Sequence, residues 1–165
     1  MRKLLFAMLC LAIGHSASAQ TIDRVEIVEH GIYTADTLRA QRDSIGQLHS
    51  TIGNVHLAEI TTTVPADTGV RFGIKFQVIG QPDGQQVRIR KVMVYPPLGL
   101  RLPNAPEPLL SGEEQFAVAI GQTVFTGFGF DDPWELVPGT WTIQIWQGDR
   151  LLAEQSFTVV ALKST

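Results

Sequence analysis

Val70-Arg71-Phe72-Gly73-Ile74-Lys75-Phe76-Gln77-Val78 decides the fold class. Val70, Phe72, Ile74, Phe76 and Val78 fall on one side of an extended chain, and Arg71, Gly73, Lys75 and Gln77 on the other. Alternation of period two over nine residues specifies a half-buried strand, because a helix would scatter those five apolar side chains around its circumference. The turn-forming Gln81-Pro82-Asp83-Gly84 follows. Beyond it, Val87 and Ile89 keep one phase while Val92 and Val94 take the opposite one. A hairpin of 70–80 with 85–95, bulged near Arg90, is the expectation.

The rest of the chain has the same character. Val25–Glu29 and Val55–Val64 are predicted strands, the second rich in β-branched residues. Between them, Ala35–Ser50 is polar and weakly patterned. Asp36 is a suitable cap for a short helix carrying Leu38 and Ile45, with a loop as the equal alternative. Residues 96–108 hold five of the nine prolines and cannot supply regular ladder bonds, so they form a crossover or long loop. Phe116, Val118 and Ile120 alternate, as do Val124, Thr126, Phe128 and Phe130, in one kinked strand or two.

Trp141, Ile143 and Ile145 share a parity that excludes Trp146. After Gly148-Asp149, so do Leu151, Ala153, Phe157 and Val159. A three-residue loop, Gly148 to Arg150, sets Ile145 opposite Ala153 and Trp141 opposite Phe157. A two-residue loop sets Ile143 opposite Glu154. Cross-strand aromatic pairs are favourable and a buried glutamate is not, so the longer loop is expected. About seven strands, frequent turn signals and little helix describe an all-β, antiparallel β-sandwich, and the closing pattern from Pro138-Gly139 and Trp141 through Gly148 to Phe157 and Val159 resembles the last hairpin of immunoglobulin-like domains.

Met1-Arg2-Lys3, the apolar run Leu4–Ile13 and the small residues ending at Ala19 have the order of a secretory signal peptide, cut after Ala19. Ten apolar residues fall short of the roughly 20 needed to span a bilayer. The expected organisation is residues 1–19 as a removed signal and 20–165 as one sandwich domain, exported to the periplasm or secreted, with no membrane span. Cys10, the single cysteine, leaves with the signal, and thiol chemistry leaves with it. Thirteen Lys and Arg against sixteen Asp and Glu give a net charge of −3, which offers nucleic acid no electrostatic footprint.

Several motifs together resemble one bacterial family. They are Gly31-Ile32-Tyr33, Arg71-Phe72-Gly73, Tyr95-Pro96-Pro97, Pro138-Gly139-Thr140-Trp141 and Phe157-Thr158-Val159. The chain is similar through them to the domain-of-unknown-function family 3859. That resemblance implies an exported immunoglobulin-like sandwich and carries no activity or site residue with it.

Candidate chemistry is sparse. His30, His49 and His56 lack the close spacing of a preformed metal site, so no metal or cofactor is expected. Asp131, Asp132 and Glu135 form an acidic turn whose spacing does not match a helix–loop–helix calcium site. Arg88 and Arg90 share a solvated face beside Lys91. No nucleophile elbow or phosphate loop occurs. Trp134, in the acidic turn, and Trp146, on the outer phase of its strand, are the candidate binding residues, since exposed aromatic rings stack on sugars or anchor partners. The functional expectation is a non-enzymatic exported protein that binds a protein or envelope component. The alternative is a carbohydrate-binding module using those two rings.

Overall fold

The structure, a computed structural model, describes residues 21–162. The signal segment 1–19 and Cys10 lie outside the described residues. Nine strands are found among them, where about seven were expected: β1 (Thr21–Arg42), β2 (Leu48–Glu59), β3 (Thr63–Ala66), β4 (Arg71–Gln81), β5 (Gln86–Val94), β6 (Ser111–Ala119), β7 (Thr123–Gly129), β8 (Gly139–Gln147) and β9 (Arg150–Ala161). They form two sheets, ordered β2-β1-β4-β7 and β3-β9-β8-β5-β6. Every pairing is antiparallel except β3 with β9, which is parallel.

The apolar phase of β4 is the floor of the core. Phe72, Ile74, Phe76 and Val78 are fully buried. From the opposite sheet come Val87, Ile89 and Met93 of β5, Val118 of β6, Trp141, Ile143 and Ile145 of β8, and Phe157 and Val159 of β9. Trp141 lies against Phe72, Tyr95, Phe128 and Phe130 at centroid separations of 5.0–5.8 Å, most of them edge-on, the arrangement ring quadrupoles favour.

Four sequence expectations are corrected. First, β4 and β5 are not a hairpin, because they lie in opposite sheets. The chain crosses between layers at 82–85, so the two apolar faces meet across the core instead of lying side by side. A second crossing, from β6 to β7 at 120–122, runs beside the first. Gly84 N–H donates to the Ile120 carbonyl (3.0 Å), Ile120 N–H to Gln85 (2.9 Å) and Gly121 N–H to Val78 (2.8 Å), so each crossing satisfies the backbone of the other. The Phe116–Phe130 run is therefore two strands, in different sheets.

Second, β5 has no bulge, and its register with β6 is unbroken from Gln86 to Val94. Its inward phase runs through Val87, Ile89, Lys91 and Met93, so a lysine occupies an inward position and Val92 and Val94 face outward. Third, Ala35–Ser50 is neither helix nor simple loop. β1 continues to Arg42, and β2 returns from Leu48. The Asp43 carboxylate accepts from the backbone of Ile45 (3.1 Å) and Gln47 (2.9 Å) and so closes the turn. The expected strand 55–64 is accordingly split, with Ile60–Thr62 carrying the chain across to β3.

Fourth, the β8–β9 turn has two residues. Gln147 pairs with Arg150, and a bulge after Ile145 restores the core register, with Ile145 opposite Ala153 and Trp141 opposite Phe157 as expected.

Candidate functional site

Trp146 stands half-buried on the outer face of its sheet. The Arg90 guanidinium lies 5.5 Å from its ring, and its indole N–H donates to the Gln144 carboxamide (3.0 Å). Trp134, in a 3₁₀ turn at Pro133–Glu135, is half-buried against the core. The first ring sits near the end of β8 and the second precedes its start, so about 25 Å of strand separates them. They do not share a platform.

The acidic turn is tied into the fold. Glu135 is buried, and one carboxylate oxygen accepts from the backbone N–H groups of Asp131 (2.6 Å) and Asp132 (2.8 Å). Burial pushes its carboxyl up to about 6 against those two hydrogen bonds. Asp132 uses both oxygens on Arg42, at 2.6 and 3.0 Å. The carboxylates thus serve different partners and do not converge on a cation. His49 pairs with Asp43 (3.0 Å), while His30 lies across from Ile74 on β4 and His56 across from Thr34 on β1. Among the described residues, no three His, Cys, Asp or Glu side chains gather as a metal site.

The bidentate Arg42–Asp132 contact is one clasp of an arm formed by residues 34–56, the part of the β1–β2 hairpin that runs beyond β4. After Tyr33, β1 pairs with β2 alone, and two register shifts, at Thr34/Asp36 and Thr37/Arg39, interrupt the ribbon. At its tip, Ile45 packs on the core, its carbonyl accepts from Asn104 N–H (3.4 Å), and Arg42 also donates to the Gly46 carbonyl (2.9 Å).

Beneath the arm, at the edges of β6 and β7, lies a cavity of about 290 Å³. Its walls are the arm residues 47–50 and Ile52, the edge strand β7 from Phe125 to Gly129, and Arg71, Lys91, Glu114, Phe116 and Asp131. A smaller recess of about 60 Å³ continues it toward Met93 and Tyr95, where burial pushes the Tyr95 phenol up. Lys91 reaches the groove because its inward phase ends at the rim of the core. Its ammonium, mostly covered, pairs with Glu114 at 3.0 Å.

Arg71 is placed differently. It projects from the outer face of β4 opposite Gly129, and its guanidinium lies so close over Gly129 that a β-carbon there would stand 2.9 Å from its Cζ. It is half-buried and makes no ion pair or side-chain hydrogen bond with the described residues. Nearby, Tyr33 packs edge-on against Phe125 (4.6 Å), and Lys75 pairs with Glu29 (2.8 Å), a hydrogen bond that lowers the Glu29 carboxyl.

Of the groove's residues, the sequence brings His49, Lys91 and Asp131 to notice, each in a different cluster, and nothing in its pattern joins them to the aromatic residues of β6 and β7. The signal that could have found the groove is Lys91, a charge in phase with Ile89 and Met93, which sequence reasoning took for a bulge.

The family model for a domain of unknown function, DUF3859, matches residues 22–159. Among solved structures, an immunoglobulin-like protein from Pseudomonas aeruginosa is similar. It is 25% identical, with 88% of this chain and 100% of that one covered and a TM-score of 0.52. No curated protein matches.

Proposed function

We propose that this chain, which belongs to the domain-of-unknown-function family DUF3859, is a non-enzymatic binding protein that takes its ligand in the groove between the arm and the β6–β7 edges. The observation that carries the reading is the groove itself. It brings half-buried Phe116, Phe125 and Phe128 together with Arg71, which has no ion-pair partner among the described residues, and a covered Lys91–Glu114 pair, a mix of apolar wall and few polar groups that suits recognition. The ligand is a protein or envelope component met in the periplasm or outside the cell, in keeping with the signal-like residues 1–19. The carbohydrate reading is less well supported, because Trp134 and Trp146 stand at opposite ends of β8.

The test is capture from an envelope extract by the purified 20–165 chain, its Phe116→Arg and Arg71→Gln variants, and Arg88→Glu on the outer face. The reading expects one set of partners held by wild type and Arg88→Glu and lost by both groove variants. Equal capture by all four proteins overturns the groove. Hydrolytic turnover that tracks one titratable residue overturns the non-enzymatic assignment.

A further inference from the structure

Phe130 exchanges backbone hydrogen bonds with the β4 side of its sheet: its N–H donates to Val70 (2.9 Å), and its carbonyl accepts from Gly69 (2.7 Å). Alternation along an antiparallel strand then turns the N–H and C=O groups of Phe128, Thr126 and Val124 toward β4. Those of Phe125, Gly127 and Gly129 point away from it. β7 is the last strand of its sheet, so these groups have no partner strand among the described residues. They border the groove. A bare strand edge is a template for another strand, and folded proteins usually block it with charge, proline or a bulge. Here the edge has none of these and carries two glycines, so nothing projects from Gly127 and Gly129 to obstruct an incoming backbone.

The same residues set the chemistry of an incoming side chain. Phe125, Gly127 and Gly129 share the outer face with Arg71, and the Arg71 guanidinium extends across Gly129 to the edge. A residue added opposite Gly129, with its side chain on that face, meets a half-buried cation that has no anionic partner among the described residues.

We propose that the β7 edge accepts an extended peptide as an added strand, with an aspartate or glutamate side chain of that peptide paired to Arg71. This inference rests on the groove reading above and names its ligand. Main-chain bonds to Phe125, Gly127 and Gly129 supply affinity, and the carboxylate–guanidinium pair supplies selectivity. The arm residues 48–52 close the far side.

The experiment uses ¹⁵N-labelled 20–165 chain and two acetylated, amidated pentapeptide pools, one with a central glutamate and one with a central glutamine, plus acetate alone. The glutamate pool is expected to shift and protect the Phe125, Gly127 and Gly129 amides. The glutamine pool is expected to bind about tenfold more weakly, the scale of one charge-assisted hydrogen bond. Arg71→Gln should erase that difference while leaving wild-type amide spectra elsewhere. Equal binding of both pools overturns the carboxylate pairing. Acetate moving the Arg71 side-chain signal, with no peptide protecting the edge amides, overturns strand addition and leaves a small-carboxylate groove. Silence of the groove toward peptides, acetate and envelope extract alike overturns this inference and the function proposed above together.

Discussion

Trp141→Ala is the sharpest test of the packing described here. Trp141 has no exposed surface, meets four aromatic rings within 6 Å, and donates its indole N–H to the Val137 carbonyl (2.9 Å). A tryptophan buries up to about 250 Å², which at about 25 cal/mol per Å² comes to about 6 kcal/mol. The alanine retains part of that burial, and the surrounding rings relax only in part, so the expected loss is about 3–5 kcal/mol. Trp146→Ala removes a half-covered ring, its contact with Arg90 and one hydrogen bond to Gln144, and should cost about 1 kcal/mol. Urea melts at one pH, with equal slopes checked, measure both. If Trp146→Ala is the more damaging change, the inside and outside of the β8 sheet are exchanged and the core described above is wrong.

Gly73→Ala should destabilise by about 1–3 kcal/mol, since a β-carbon there collides with the Thr126 carbonyl of the neighbouring strand. Gly84→Ala, with open space at a positive φ of 75°, should cost about 1 kcal/mol in the same melts. Arg42→Ala unfastens the arm from Asp132; hydrogen exchange should quicken at residues 39–52 and stay unchanged in β4 and β8, and uniform quickening would refute an independent arm. Glu135 ionises in the folded protein near pH 6, above its ordinary value of about 4.5, so its contribution to stability is complete below pH 4.5 and is lost as pH rises through 6. Relative to Glu135→Gln, the wild type should therefore lose about 2 kcal/mol between pH 4.5 and 7. A flat difference across that window refutes the buried carboxylate.

Strand phase was legible in the sequence wherever one face of a strand is uniformly apolar. The β4 alternation and the Trp141–Phe157 and Ile145–Ala153 pairs follow from counting by two and from the cost of burying Glu154. Strand partnership was not legible in the same way. A turn such as 81–85 joins two apolar strands equally well within a sheet or across the core. What selects the crossing is a set of long-range bonds to Ile120 and Gly121, which no local pattern encodes. The helix weighed for 35–50 failed because capping at Asp36 and sparse apolar residues are weak signals. In the structure, Asp36 accepts from the Asn54 side chain across the hairpin (2.7 Å). The groove stayed hidden for the same reason: its walls come from β1–β2, β4, β5, β6 and β7, and only the three-dimensional crossings bring them together.

The groove and the two crossings are consequences of one arrangement. Because β4 passes to β5 and β6 passes to β7 between sheets, the sandwich ends on one side in two edge strands, β6 and β7, that belong to different layers and do not pair. Ordinary protection of such a side would be charge on both edges. β6 has it, in Glu113 and Glu114, which are answered by Arg90 and Lys91. β7 has Gly127 and Gly129 instead, which weaken a strand by their conformational freedom and leave its backbone uncovered. That weakness is offset by the arm, a hairpin too polar to hold itself against the sandwich and fixed there by Ile45 and by Arg42 on Asp132. An arm serving only as a cover would lie flush on β7. The arm here leaves a cavity over a strand backbone and a guanidinium that have no partners among the described residues, and that gap is what a binding function explains and edge protection alone does not.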